Sequence, residues 1–259
     1  MSLPPLHADR LTLFVFGPGT GELVALYVPP GVWLLVDGCS VGRSYAEALL
    51  DHYEEQMRTP PRIGLVLWTH PHADHSGGLP ELLKRVEKLA EHDRPVLGFL
   101  PPTTWDPRDA ERETIDHAGI AIGGDVQTAL TRISRIWRET PRTRWEPLEG
   151  DVKTVGNATV RALSPTKAVH EAGRRDPNRL STAVLVEWEG RRLVLGSDLV
   201  QAGWSDVFRA NATIAKHDVL KIPHHGSHDP LGRRIASCAP RCSTTCGARG
   251  RSPIVGGGA

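Results

Sequence analysis

What this chain lacks narrows its chemistry. It has four cysteines in 259 residues, and three of them, Cys238, Cys242 and Cys246, crowd the last stretch. That distribution excludes a fold stapled by disulfides. The Cys-x3-Cys-x3-Cys spacing also matches neither the repeated short pairs of structural zinc sites nor iron–sulfur motifs. No apolar run approaches the roughly 18 residues that mark a membrane span. The opening segment has no basic flank, and Gly17-Pro18-Gly19 cuts its short apolar run before it could serve as a secretory leader. The expectation is a cytoplasmic protein with no membrane partner. Strong charge is missing too, since the formal net charge is +1. Residues 228–259 carry five arginines against one acid, Asp229, which leaves 26 basic and 29 acidic residues elsewhere. A weakly acidic body argues against broad binding to duplex DNA, which needs a basic face to displace counterions, although a local basic groove remains compatible with it.

What is present suits a globular domain. With 39% apolar and 24% charged residues, the chain is long enough for one well-buried core. Strand-like stretches at 11–17, 22–28 and 32–38 come first, the last two joined as a hairpin at Pro29-Pro30-Gly31. An amphipathic helix over 44–58 follows, with Ser44 as N-cap. A buried strand is expected at 62–70, a helix at 77–92, a strand at 95–100, a helical stretch near 107–118 and a helix over about 126–139. Further strands are expected at 158–163, in a hairpin over 181–198 turning at Glu189-Gly190, and at 217–227. Runs of strands with interspersed helices predict two mixed sheets packed face to face with helices outside. The end, from His228, has neither period. Residues 1–227 therefore read as one domain and 228–259 as a low-complexity, disordered tail.

The stretch "LVLWTHPHADHSGGLPELL" holds three histidines and an aspartate in six positions directly behind an apolar run. A strand ending at Trp68-Thr69 delivers His70 and His72, two apart, to one point at the sheet edge. Asp74 and His75 can turn to a second point. Imidazole and carboxylate donors packed this closely form a metal-site pattern. A close metal pair can clamp both oxygens of a hydrolysis.

"THPHADH" resembles the His-x-His-x-Asp-His signature of the metallo-β-lactamase family. "LLVDG" with Asp37, "LSP" at 163–165, "LVLGSD" ending at Asp198 and "VLKIPHHGS" with His224 and His225 follow in that family's order. The phrases "LEGDVKTVGNATVRALSP", "LSTAVLVEWEGRRLVLGSD" and "DVLKIPHHGS" look like its ComEC-type branch. The resemblance covers about residues 11–228. It implies an αββα four-layer sandwich, α/β in class, and water-driven hydrolysis at two divalent ions, zinc or manganese. By the same resemblance His70 and His72 bind metal one, Asp74 and His75 metal two, and Asp198 bridges them. His225 completes metal two, with His224 not separable from it by sequence. Asp198 also reads as a helix N-cap. Asp37 is expected behind the ligands, holding a histidine ring through its free N–H. Asp74 would orient water, and His224 or His228 would donate a proton to the leaving group.

This chain departs from the pattern at one ligand. Metal one usually has a third histidine before the bridging aspartate, but here the stretch reads "LSPTKAVHEAGRRDPNRLS". His170 is the nearest replacement, or a surface histidine. Asn178 and Ser181 fall where ComEC-type domains carry a polar pair, and are expected to orient substrate or water. The segment 101–156 mixes Trp105, Trp137 and Trp145 with Arg132, Arg135, Arg138, Arg142 and Arg144. This reads either as stacking and phosphate contacts for a single-stranded nucleic acid or as a helix whose buried face is Ile133, Ile136 and Trp137. The expected activity is phosphodiester hydrolysis of a nucleic acid or small nucleotide-like substrate. Its alternatives are an ester, thioester or lactam hydrolase of the same fold, or a degenerate metal-binding interaction module.

Overall fold

A computed structural model describes residues 3–17, 21–39, 44–101, 124–172 and 178–223. The expected helical stretch at 107–118, Trp105, His224, His225, His228 and the tail lie outside these residues.

Eleven strands among the described residues form two mixed sheets. In the first, β1 (Thr12–Phe16), β2 (Leu23–Val28) and β3 (Val32–Val36) run antiparallel. It continues in parallel through β4 (Arg62–Leu67), β5 (Val96–Gly98) and β6 (Arg144–Trp145). The second sheet has the order β11-β10-β9-β8-β7. Here β7 (Val152–Val155), β8 (Ala158–Ala162), β9 (Val184–Trp188) and β10 (Arg191–Leu195) are antiparallel, and β11 (Val219–Lys221) is parallel to β10.

Every residue of β2 and β3 is buried. Their near-continuous apolar sequence has to serve two cores, one on each face of the sheet. Val24, Leu26 and Leu34 meet Val160, Val186 and Leu193 of the second sheet. Ala25, Tyr27 and Leu35 turn to the opposite side, against Leu49, Leu83 and Ile133. Those residues belong to α1 (Tyr45–Met57), α3 (Leu79–Glu87) and α4 (Gly124–Glu139). On the far side of the second sheet, Leu185 and Val194 pack under Trp204 and Val207 of α6 (Gln201–Ala210). Two sheets between two helical layers make the αββα sandwich.

Local differences from expectation have local causes. The helix expected over 77–92 is shorter, running only as α3, and Gly78 at φ 73 separates it from a preceding single turn, α2 (Ala73–Ser76). Only glycine takes that conformation without strain, and a Cβ there would lie 2.8 Å from Ser44 Cα. Ser44 caps α1 as expected, its Oγ accepting from Glu47 N–H at 3.2 Å. β6 and β7 are extra strands, short enough that alternation in the sequence does not mark them. Helix α5 (Lys167–Glu171) is a short extra helix that nothing in that charged stretch predicted.

Much of the arginine and tryptophan segment packs or pairs within the fold where it is described. Ile133, Ile136 and Trp137 are buried against the first sheet. Arg132 and Arg135 pair with Glu87 of α3, Arg142 donates to the Glu91 carbonyl, and Arg144 lies over the Trp137 ring at 5.1 Å. Trp145 is buried between the sheets. No described helix is long and apolar enough to cross a membrane.

Candidate metal centre

The site gathers at one end of the sandwich, where β3, β4 and β10 finish and the chain enters β9. Asp37 follows β3, Thr69 to His75 follow β4, Ser197 and Asp198 follow β10, and Ser181 precedes β9. Carboxyl ends of parallel strands are where open α/β sheets place their sites, because loops from several strands converge there.

Main-chain hydrogen bonds sew the histidine loop to its surroundings. Asp37 N–H donates to Leu67 O at 2.8 Å, Gly38 N–H to His75 O at 2.8 Å and Thr182 N–H to Thr69 O at 3.1 Å. His75 and Asp74 lie inside α2, not in a loop ahead of a helix, so helical geometry sets the angle between these neighbouring side chains. Ser76 Oγ donates to His72 O at 2.6 Å and closes that turn.

Asp37 is fully buried with φ 61, a left-handed backbone that costs a non-glycine residue roughly 1–2 kcal/mol. Its Oδ1 accepts from Thr69 N–H at 2.7 Å, and its Oδ2 accepts from the Thr69 hydroxyl at 2.7 Å and from His75 Nδ1 at 2.8 Å. Burial pushes the Asp37 carboxyl up, against the pull of His75 and Thr69. Burial of His75 opposes its charge, yet Asp37 and Asp198 more than offset this and bring its pKa to about 10 in the metal-free chain. With Nδ1 on Asp37, His75 turns Nε2 toward Asp198 Oδ2 at 3.3 Å and Asp74 Oδ2 at 3.9 Å.

Two ligand groups result. His70, His72 and Asp198 bring one donor atom each within 4.8 Å of one another, and so do Asp74, His75 and Asp198. Imidazole nitrogens and carboxylate oxygens around one point suit a divalent transition ion, so the donor set fits a metal pair with Asp198 common to both. His70 Nε2 stands 2.9 Å from His72 Nδ1. Asp198 is not a helix N-cap, because α6 begins after Val200.

The remaining candidates divide. His170 Nε2 lies 2.9 Å from the Pro101 carbonyl and belongs to neither group. Asn178 accepts through its main-chain oxygen from Ser181 N–H at 3.4 Å. Ser181 is at the centre, with Oγ 3.4 Å from His70 Nδ1. Thr69 and Ser197 are the residues that sequence reasoning missed. The signal for Thr69 was its place in "WTHPHADH", directly between a buried strand and the first ligand. Ser197 had only its adjacency to Asp198.

Comparison with known proteins agrees with this architecture. Residues 17–163 match the family model described as the metallo-beta-lactamase superfamily. Among solved structures, the chain is similar to MIM-2 metallo-beta-lactamase at 16% identity, with 84% of this chain and 78% of that one covered and a TM-score of 0.47. A metallo-beta-lactamase from Staphylococcus aureus shares 15% identity over 86% of this chain and 58% of that one, with a TM-score of 0.48. CmlA, a diiron beta-hydroxylase from Streptomyces venezuelae, shares 17% over 82% and 34%, with a TM-score of 0.43. These likenesses concern the fold alone. Members of the matched superfamily typically bind divalent metals, often zinc. The family match spans more than half of the sequence, and the chain belongs to the metallo-beta-lactamase superfamily, with the fold of its metal-dependent hydrolases.

Proposed function

We propose that this chain hydrolyses phosphodiester bonds, in single-stranded nucleic acid or a small nucleotide-like ester, as a relative of the ComEC-type branch. The observation that supports the reading is that Asp198 belongs to both candidate ligand groups, so that two cations held there would lie side by side. Paired cations suit in-line displacement at phosphorus, where attacking and leaving oxygens both need stabilising. Zinc or manganese ions held there supply Lewis acidity and lower the pKa of water.

The chain's own residues do the rest. His70, His72 and Asp198 would hold one ion, and Asp74, His75 and Asp198 the other, with His225 completing the second. The Asp74 side chain is 30% exposed whereas that of His75 is 0%, which puts Asp74 on the solvent side. It would orient the attacking water. His224 or His228 would protonate the leaving oxygen, and Asn178 would contact substrate.

The test is hydrolysis of a generic phosphodiester, single-stranded DNA, a thioester and a chromogenic lactam, before and after chelation. Phosphodiester cleavage that disappears on chelation and returns with zinc or manganese is expected. Turnover of the lactam or thioester alone would overturn the substrate class. Bound metal with no turnover would identify a binding module, a reading motivated by the missing third histidine.

A further inference from the structure

Behind His70, on its Nδ1 side, the structure places hydroxyls. Ser181, just ahead of β9, is fully buried, and Thr69 and Ser197 are each 3% exposed. Ser181 Oγ donates to Ser197 Oγ at 2.7 Å, Ser197 Oγ donates to Thr69 Oγ1 at 2.6 Å, and Thr69 Oγ1 donates to Asp37 Oδ2 at 2.7 Å. An ionised carboxylate only accepts, so Asp37 sets the direction of every O–H in the chain. Each hydroxyl proton is then committed, and the lone pairs left over can only accept. Thr69 Oγ1 lies 3.0 Å and Ser181 Oγ 3.4 Å from His70 Nδ1. Nδ1 must therefore carry the proton. Nε2, the nitrogen on the His72 side, carries the lone pair. Ser181 Oγ also accepts from the Asp198 main-chain N–H at 3.3 Å.

We infer that Thr69, Ser197 and Ser181 are positioning residues, a buried hydroxyl chain anchored on Asp37 that locks His70 in its Nδ1–H tautomer and holds the Asp198 main chain. Through the direct bond from Asp37 to His75, one carboxylate governs both ligand groups. The backbone supports this independently. Asp37 at φ 61 and Ser197 at φ 46 are both held in the left-handed region that favours glycine, yet both carry the side chains that the network uses. Strain kept at two members of one network points to a use for their side chains.

The inference rests on the metal-centre reading, and its test separates the two. In metal-free protein labelled with ¹⁵N-histidine, long-range ¹H–¹⁵N spectra at pH 8 report the His70 tautomer, assigned by comparison with His70→Gln. The wild type should show His70 as Nδ1–H alone. Ser197→Ala, Ser181→Ala and Thr69→Val should show a mixture, and Thr69→Ser should restore the single tautomer. In cobalt(II) titrations followed by absorption, the first three variants should bind about 10–100-fold more weakly and Thr69→Ser close to wild type, the range seen when outer partners of ligating histidines are removed. Circular dichroism identifies any variant that does not fold, and Thr69→Ser keeps the comparison decisive. An unchanged tautomer in all three variants, or cobalt affinity equal to wild type, overturns the inference. A wild type that binds no cobalt overturns the metal centre itself, while the tautomer spectra still decide whether the hydroxyl chain orients His70.

Discussion

Asp37 Oδ2 lies 2.8 Å from His75 Nδ1, and this contact decides which ring nitrogen faces Asp198. An amide at position 37 could accept through one oxygen only, and its NH2 would confront a donor. Asp37→Asn should therefore weaken metal binding about 10–100-fold. It should also cost about 1–3 kcal/mol of stability, since a buried donor is left without an acceptor. Metal titration and thermal melting of the same variant check both figures.

Sharing of Asp198 predicts a difference in stoichiometry. His72 belongs to one ligand group, whereas Asp198 belongs to both. His72→Ala should retain one of two ions after gel filtration and Asp198→Ala neither, as read by elemental analysis. Equal metal content in the two variants would contradict a bridging role.

Gly38 lies where β3 leaves the sheet, and its N–H donates to His75 O at 2.8 Å. A Cβ at this position would fall 2.2 Å from Gly77 O and 3.0 Å from Leu79 N. Both are backbone atoms and cannot swing aside. Gly38→Ala should destabilise by about 1–3 kcal/mol, as overpacked sites do, and should lower metal affinity by moving His75. Gly124→Ala is the control, because no described residue lies within 4 Å of its Cβ. Denaturant unfolding of the pair gives the comparison.

Tyr53 predicts alkaline behaviour away from the metal centre. Its hydroxyl donates to Pro4 O at 2.6 Å, and burial pushes its pKa up to about 12. A folded pKa above the unfolded value of about 10 contributes stability that is complete below pH 10 and lost as pH rises through 12. Tyr53→Phe should flatten the fall in stability between pH 10 and 12, at a cost of about 1 kcal/mol at neutral pH for the lost hydrogen bond. Urea unfolding at pH 8, 10 and 11.5 measures it.

Features set by near neighbours in the chain were legible without coordinates. Apolar runs marked β1 to β4 and the hairpin of β9 and β10, Ser44 announced α1, and the spacing in "THPHADH" placed four donors together, because period and spacing act within one or two turns of backbone. Asp198, far off in the sequence, comes within 4.8 Å of donor atoms from both pairs of that motif. Pairings over long separations were not legible. Arg132 and Arg135 of α4 pair within the fold because Glu87 stands opposite them, 45 and 48 residues away. Ser197 meets Thr69 across 128 residues, and Ser181 meets His70 across 111. A serine in a sequence shows a donor and an acceptor but not their direction. That direction follows from Asp37 as terminal acceptor, and it exists only once the two sheets pack and bring the ends of β3, β4 and β10 together.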